Sequence, residues 1–325
     1  MKGYPVLWDS GVFLPEQGLW LDPARPRPCA VISHAHSDHV AAHDFAFVTP
    51  ETHLLLTHRR PQMTRLMPLR YFESFALGAA RITLHPAGHV LGSAQTLVEA
   101  DFGRLLYTGD LKTRSGRTTA AARPLAADVL VLESTFGKPR YTFPDTAEVI
   151  EAVLNWCRET IAGGSVPVLL GYSLGKGQEI LSTLALDGLP IYLHPALYGV
   201  TEVYRDLDCR FPAYRRLGDD RIDRAIVVCP PQARNGRLVA AIANARTAAL
   251  TGWAMDASLR QRLGVDAVFP LSDHADFTEL CAYAERVGAR MTYTVLGFDD
   301  DLALSLRRRG LRAAPLRETD QLSLF

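Results

Sequence analysis

Apolar and polar positions along the chain follow two regimes. Up to about residue 140, short apolar runs are broken by polar, glycine or proline positions, which predicts strands joined by turns. Residues 4–60 read as short strands and turns. The segment 18–22 is strand-like and Pro23 stops it; the proline-rich 24–28 leads into a strand over 29–33, and 45–48 is another. Residues 81–85, 94–99 and 104–108 read as successive strands, and the wholly apolar 129–132 as one more. From about residue 145 the spacing changes. It predicts a helix over 147–161 capped by Thr146, then strand 166–171, helix 175–185, strand 190–193, helix 196–207, strand 226–229, helix 236–244 and strand 248–251. Such alternation implies a parallel sheet covered by helices. The expected organisation is an α/β protein. Residues 1–140 and 246–325 form one domain, 141–245 an inserted α/β unit, and 313–325 a flexible tail.

Composition sharpens this only in places. With 325 residues, 48% hydrophobic and 22% charged, the chain can bury a large core. Lys and Arg together equal Asp and Glu, 35 each, so no overall field advertises a polyanionic partner. That argues against simple nonspecific nucleic-acid binding. It leaves room for a nuclease, because two bound dications add about four positive charges locally. Five scattered cysteines with no CxxC pair read as free thiols in a reducing compartment. No apolar run approaches the roughly 18 residues of a membrane span, and Asp9 interrupts the start where a signal core would lie. The expectation is a cytoplasmic protein without membrane contact.

The chemistry is concentrated in Ser33-His34-Ala35-His36-Ser37-Asp38-His39-Val40. Imidazoles and a carboxylate at this density suit one or two divalent ions such as Zn²⁺, with Mn²⁺ an alternative because no thiolate enforces zinc. His34 and His36 point to one side of an extended segment. Asp38 and His39 follow where the chain turns and can address a second ion. Matching residues recur in order downstream: His89, Asp110 and His274, each at the end of or just after a short apolar run. His43, His53 and His58 read as ordinary histidines, His85 as a strand residue, and Arg307, Arg308, Arg309 and Arg312 as a solvated face.

The H-x-H-x-D-H pattern followed by a distant His, Asp and His resembles the signature of the metallo-β-lactamase superfamily. The inserted α/β unit narrows the resemblance to its β-CASP nucleases, in which the insertion walls a nucleic-acid cleft. Glu133-Ser134-Thr135, Ser173-Leu174-Gly175-Lys176-Gly177-Gln178-Glu179 and Ser272-Asp273-His274-Ala275-Asp276 resemble motifs of that group, with Lys176 at an arginine position. Residues 88–95, 133–137, 251–255 and 271–277 are similar to the bacterial DNA-ligase-associated exonucleases.

The resemblance implies an αββα sandwich with a β-CASP-like cap. It also implies one metal held by His34, His36 and His89 and another by Asp38, His39 and His274, with Asp110 bridging. Glu133 would orient a ligand histidine or help proton transfer. Ser173, Gly175 and Lys176, opening a helix, would grip a phosphate.

Many β-CASP nucleases carry a further histidine about twenty residues before the last motif. Here 257–262 has none. Arg260 or Arg262 would contact phosphate instead, and His194 would supply the missing imidazole as a general acid. RNA-cleaving members tend to carry that histidine, so its absence favours DNA.

The chain ends Gln321-Leu322-Ser323-Leu324-Phe325. This resembles the short peptides by which bacterial repair proteins dock on the DNA sliding clamp, with Gln321, Leu322, Leu324 and Phe325 as anchors. The expected function is a metal-dependent DNA exonuclease of repair, with DNA, the clamp, a DNA ligase and a helicase as partners. The alternatives are an RNA-processing nuclease of the same fold and, further off, a small-molecule hydrolase of thioesters or lactams. Seven intact ligands have no role in a non-catalytic scaffold.

Overall fold

A computed structural model describes residues 6–184, 188–218 and 222–317. The tail residues Gln321, Leu322, Leu324 and Phe325 lie outside the described residues. The first sheet runs in chain order through β1 (Leu7–Trp8), β2 (Val12–Leu14), β3 (Leu19–Leu21), β4 (Ala30–Val31), β5 (Ala46–Val48) and β6 (Leu66–Pro68). Between β5 and β6 lies α1 (Pro50–Arg59), where only strands and turns were expected. Its start signal is plain in retrospect. Pro50 opens the helix, and the Thr49 hydroxyl accepts the Thr52 N–H at 3.1 Å.

A second sheet begins with β7 (Ser74–Leu77), β8 (Ala80–Pro86), β9 (Ala94–Ala100), β10 (Gly103–Tyr107) and β11 (Val129–Ser134). The chain then enters the inserted unit: α2 (Thr146–Ala162), β12 (Val166–Leu170), α3 (Lys176–Thr183), β13 (Ile191–Leu193), α4 (Pro195–Asp206), β14 (Arg215–Arg216), β15 (Ile226–Cys229), α5 (Arg237–Ala240), β16 (Ala245–Leu250), α6 (Leu259–Leu263) and β17 (Ala267–Phe269). It returns through α7 (Phe277–Val287), β18 (Met291–Gly297), α8 (Asp299–Arg308) and β19 (Ala313–Pro315). β18 and β19 complete the second sheet, in the order β19-β18-β11-β10-β9-β8-β7.

The two sheets of this first unit share a core. Val129 and Val131 of β11, with Leu105 and Tyr107 of β10, meet Leu14, Leu21 and Val31 of the other sheet. The alternate residues Leu106, Leu130 and Leu132 pack on the opposite face against Leu280 and Ala284 of α7 and Leu302 and Leu306 of α8. Because both faces of β11 are covered, its sequence is an unbroken apolar run rather than an alternating one.

By contacts, the second unit comprises residues 116–118 and 140–273, and the first the remainder. The expected boundary at 245 is therefore too early. β16 pairs with β12 and β17 with β16, so residues 246–273 extend the inserted sheet instead of returning to the first unit. That sheet is parallel throughout, in the order β14-β13-β15-β12-β16-β17. Alternation again sorts its faces. Leu169, Ile226, Val228, Ala248 and Leu250 face α2, α3 and α4, whereas Val168, Leu170, Val227, Cys229 and Ala249 face Val239 and Ile242 of the α5 region.

Two local expectations need correction. Asp145, not Thr146, caps α2, its carboxylate accepting the Ala147 N–H at 2.7 Å. The helix expected over 236–244 shrinks to the single turn of α5. All five cysteines are free, and burial pushes the Cys157 and Cys229 thiols up to about 12. No helix among the described residues is long and apolar enough to cross a membrane.

Candidate metal centre

The centre belongs to the first unit and is built from loops that follow strands. After β4 the chain passes Ile32 and Ser33 and delivers His34, His36 and, through one tight turn, His39. The loop after β8 delivers His89, the loop after β10 delivers Asp110, and the segment before α7 delivers His274. His34 is wholly buried, and His39, His89 and Asp110 nearly so.

The polar atoms converge. His36 Nδ1 lies 3.1 Å from His34 Nε2 and 3.0 Å from His89 Nε2. Asp110 Oδ2 lies 3.5 Å from the Nε2 of both His34 and His89, and 3.4 Å from that of His39. Ligand atoms at about 2.0–2.1 Å around a tetrahedral zinc stand about 3.3 Å from one another, so this cluster has the spacing of a coordination shell. His34, His36, His89 and Asp110 form one such group; Asp110, Glu133 and His274 form another around the same carboxylate.

What aims these nitrogens is a pair of buried carboxylates, and one of them was not singled out from the sequence. Asp22 ends β3 and receives four hydrogen bonds: Ser33 N–H at 2.6 Å, Ser33 Oγ at 2.5 Å, His39 Nδ1 at 2.9 Å and Tyr107 OH at 2.8 Å. Ser33 Oγ also lies 2.9 Å from His34 Nδ1. Asp22 thus fixes two imidazoles with Nε2 facing the centre. Glu133 does the same for His274, lying 3.0 Å from its Nδ1, while its oxygens accept the N–H groups of Leu111 at 2.7 Å and Thr135 at 3.1 Å. The usable signal for Asp22 was a lone carboxylate ending an apolar strand in a chain whose ligand histidines each need an acceptor for the ring nitrogen turned away from the centre.

The loops are also tied to one another. Leu111 bridges to Gly88, and its carbonyl accepts the Ala275 N–H at 2.5 Å, so the His89, Asp110 and His274 loops meet at one backbone position. Gly88 has φ +79°, and a Cβ there would stand 2.2 Å from the Lys112 carbonyl. Arg114 braces the far side, donating to Asp276 at 2.7 Å and Glu279 at 2.9 Å at the start of α7.

Electrostatics follow the geometry. Burial holds His34 well below the usual histidine range. Burial opposes the charge on His39 too, but Asp110 and Asp22 outweigh it and hold its pKa well above normal. Burial works against the Asp110 anion, and the imidazoles led by His39 and His274 more than compensate, keeping it ionised. Affinity for a cation at such a site depends on pH, because the cation and protons compete for the same nitrogens.

Other expected residues stand outside these groups. Asp38 is 81% exposed, and its carboxylate comes only to 3.8 Å from His39 Nε2. Lys176, expected to grip phosphate, is buried and internally paired: its ammonium donates to Asp273 at 2.8 Å and to the Leu271 carbonyl at 2.7 Å. Gly175 N–H donates to Gln178 Oε1 at 2.8 Å, and the Ser173 carbonyl accepts from Gln178 Nε2 at 3.1 Å, so the Gln178 side chain holds this turn. His194 caps α4, its Nδ1 accepting the Ala196 N–H at 3.2 Å, and burial lowers its pKa. Arg260 and Arg262 lie exposed on α6.

Replacing Asp22 with Asn removes the charged acceptor of His39. Affinity for Zn²⁺ in chelator competition should fall by about 10–100-fold while far-ultraviolet circular dichroism is unchanged. Unaltered affinity would show that Asp22 does not tune the ligands. Lys176→Met should destabilise the protein by about 3–5 kcal/mol in urea unfolding, the cost of breaking a buried ion pair. A change of a few tenths would mean the pair is not buried in solution.

No protein-family model matches the chain. Over 324 residues, 99% of its length, it is 42% identical to a probable DNA ligase of Opitutus terrae, covering 32% of that protein. It is 28% identical over 225 residues to an RNase J-like protein of Methanocaldococcus jannaschii, 59% of this chain and 53% of that one. It is 33% identical over 165 residues to the 5′ exonuclease Apollo of Gallus gallus, 48% of this chain and 35% of the relative. The chain thus spans between about a third and a half of these relatives. A crystal structure of a protein of unknown function from Enterococcus faecalis V583 superposes with a TM-score of 0.63 at 12% identity. It covers 89% of this chain and 79% of that one, a likeness of fold alone.

Proposed function

We propose that this chain, whose relatives are β-CASP metallo-β-lactamase nucleases and whose sheets fit that fold, is a metal-dependent nuclease that hydrolyses phosphodiester bonds at DNA ends. The observation that carries the reading is the convergence of three imidazoles on the Asp110 carboxylate at 3.4–3.5 Å. His34, His36, His89 and Asp110 would hold one divalent ion, and Asp110, His39 and His274 a second, Zn²⁺ or Mn²⁺. Bound there, such ions acidify water and offset charge on a phosphate oxygen. Asp38, exposed beside His39, is available to the second ion after a small side-chain movement.

The protein's own residues supply orientation. Asp22 and Glu133 lock the ring tautomers, and Asp110 stays anionic across the neutral range. His194 is the candidate general acid toward a leaving oxygen, a role that needs its imidazolium, whereas the helix cap at Nδ1 and burial both favour the neutral ring.

DNA is favoured by the likeness of 99% of this chain to 32% of a probable DNA ligase, which also supports a ligase as partner. The absence of histidine from 257–262 agrees. The second reading is an RNA-processing nuclease, favoured by the RNase J-like relative. A helicase and the sliding clamp complete the proposed repair setting, the clamp resting on Gln321, Leu322, Leu324 and Phe325.

The test is digestion of end-labelled DNA and RNA of one sequence by metal-stripped protein resupplied with Mn²⁺ or Zn²⁺, beside Asp110→Asn. Metal-dependent loss of DNA alone, abolished in the variant, is expected, with label position giving polarity. Preferential RNA cleavage would transfer the protein to RNA processing, and cleavage of neither would end the nuclease reading. Deleting residues 321–325 should abolish retention on immobilised clamp with digestion intact; retained binding would remove the clamp from the proposal.

A further inference from the structure

The inserted unit has a cavity of its own. It measures about 580 Å³, inside the span of about 300–1,000 Å³ typical of small-molecule sites. It opens at the carboxyl ends of three adjacent parallel strands. Leu170 is the last residue of β12 and Leu250 the last of β16, and Pro231 follows just after β15. This is where the sheet changes direction. From β12 the chain crosses through α3 to β13 on one side; from β15 it crosses back over β12 through α5 to β16 on the other. Helices leaving to opposite faces open a crevice at such a point, where open α/β sheets bind ligands.

The lining is specific. Tyr172 stands on the rim, 54% exposed, with its segment fixed by the Gly177 N–H donating to its carbonyl at 2.9 Å. Trp253 forms another wall. Its ring is met edge-on by Tyr141 at 5.3 Å, and Tyr141 is held in turn by Arg140 at 2.7 Å and Asp256 at 3.2 Å. Two arginines line the cavity and differ in what they do. The Arg234 guanidinium is spent on the Leu263 and Gly264 carbonyls, closing the end of α6. The Arg262 guanidinium makes no ion pair or hydrogen bond among the described residues and is exposed at the opening. A mainly apolar pocket with aromatic walls and one uncommitted guanidinium matches a flat heteroaromatic group carrying a phosphate.

We propose that this cavity binds a nucleotide unit, its base against Tyr172 and Trp253 and its phosphate at Arg262. The choice of ligand class rests on the nuclease reading; the cavity and its lining do not. The unit can come from a strand or from free nucleotide, and the experiment separates the two.

The test is equilibrium binding of deoxyadenosine 5′-monophosphate to the full-length, metal-loaded protein, repeated with EDTA. Binding that survives EDTA is expected and shows that it does not depend on a metal ion. Tyr172→Ala should weaken it about tenfold, the scale of one lost base–aromatic stack. Arg262→Gln should weaken the monophosphate but not deoxyadenosine.

A trinucleotide in EDTA whose affinity also falls in Tyr172→Ala would support a strand base as occupant. A trinucleotide that fails to compete would support a free nucleotide in the same pocket. Equal affinity for deoxyribose 5-phosphate, unchanged affinity in both variants, or no binding at millimolar nucleotide would overturn the proposal. Digestion without nucleotide binding would sink the pocket alone, and binding without digestion would sink the nuclease reading alone.

Discussion

An imidazole presents a lone pair to a cation only when its other nitrogen has somewhere to put a proton. In a buried site that condition cannot be met by water, so it must be met by the fold. Most of the first unit can be read as its solution. β3 must end where Asp22 reaches both Ser33 and His39, and β10 must place Tyr107 beneath the same carboxylate. β11 must carry Glu133 to His274. Either carboxylate removed would leave rings free to rotate and nitrogens aimed at nothing.

The residues that converge at the candidate centre were legible because their chemistry is rare: His34, His36 and His39 crowd one motif, and His89, Asp110 and His274 each sit at the end of or just after an apolar run. Asp22 was not, although it receives more hydrogen bonds than most of the ligands. A lone Asp before a proline looks like a turn residue, and only its neighbours in space reveal the burial. Lys176 failed in the opposite direction. Its sequence setting, a glycine-flanked helix start, is the setting of an anion site, and nothing local shows that Asp273 already neutralises it. Asp38 sits inside the densest motif of the chain and is nonetheless exposed, which its sequence setting did not show.

β8 to β11 of the second sheet and β12, β13, β15 and β16 of the inserted sheet were visible as apolar runs, and α2 to α4 as helical periods, whereas β7, β18, β19, α7 and α8 were not read. Nor were the short edges. β1, β14 and β17 have two or three residues each, too few for any period to register. α1 was hidden by its low contrast. Leu54, Leu55 and Leu56 are consecutive, so the stripe that announces an amphipathic helix is blurred. The boundary of the insert was missed for another reason: the strand over 248–251 was read, but only its pairing with β12, and that of β17 with it, shows that it belongs to the inserted sheet.

His274 stands 141 residues beyond Glu133, with nearly the whole inserted unit between them in the chain. A ribosome releases the chain from the N-terminus and domains fold as they emerge. His34, His36, His39, His89, Asp110 and both orienting carboxylates therefore appear well before the last histidine. During that interval β11 has only β10 beside it, because its other partner, β18, has not been made. An apolar strand with one open edge is a hazard while it lasts. The order of synthesis thus makes completion of the metal centre and closure of the second sheet late events, both postponed until the inserted unit has been translated.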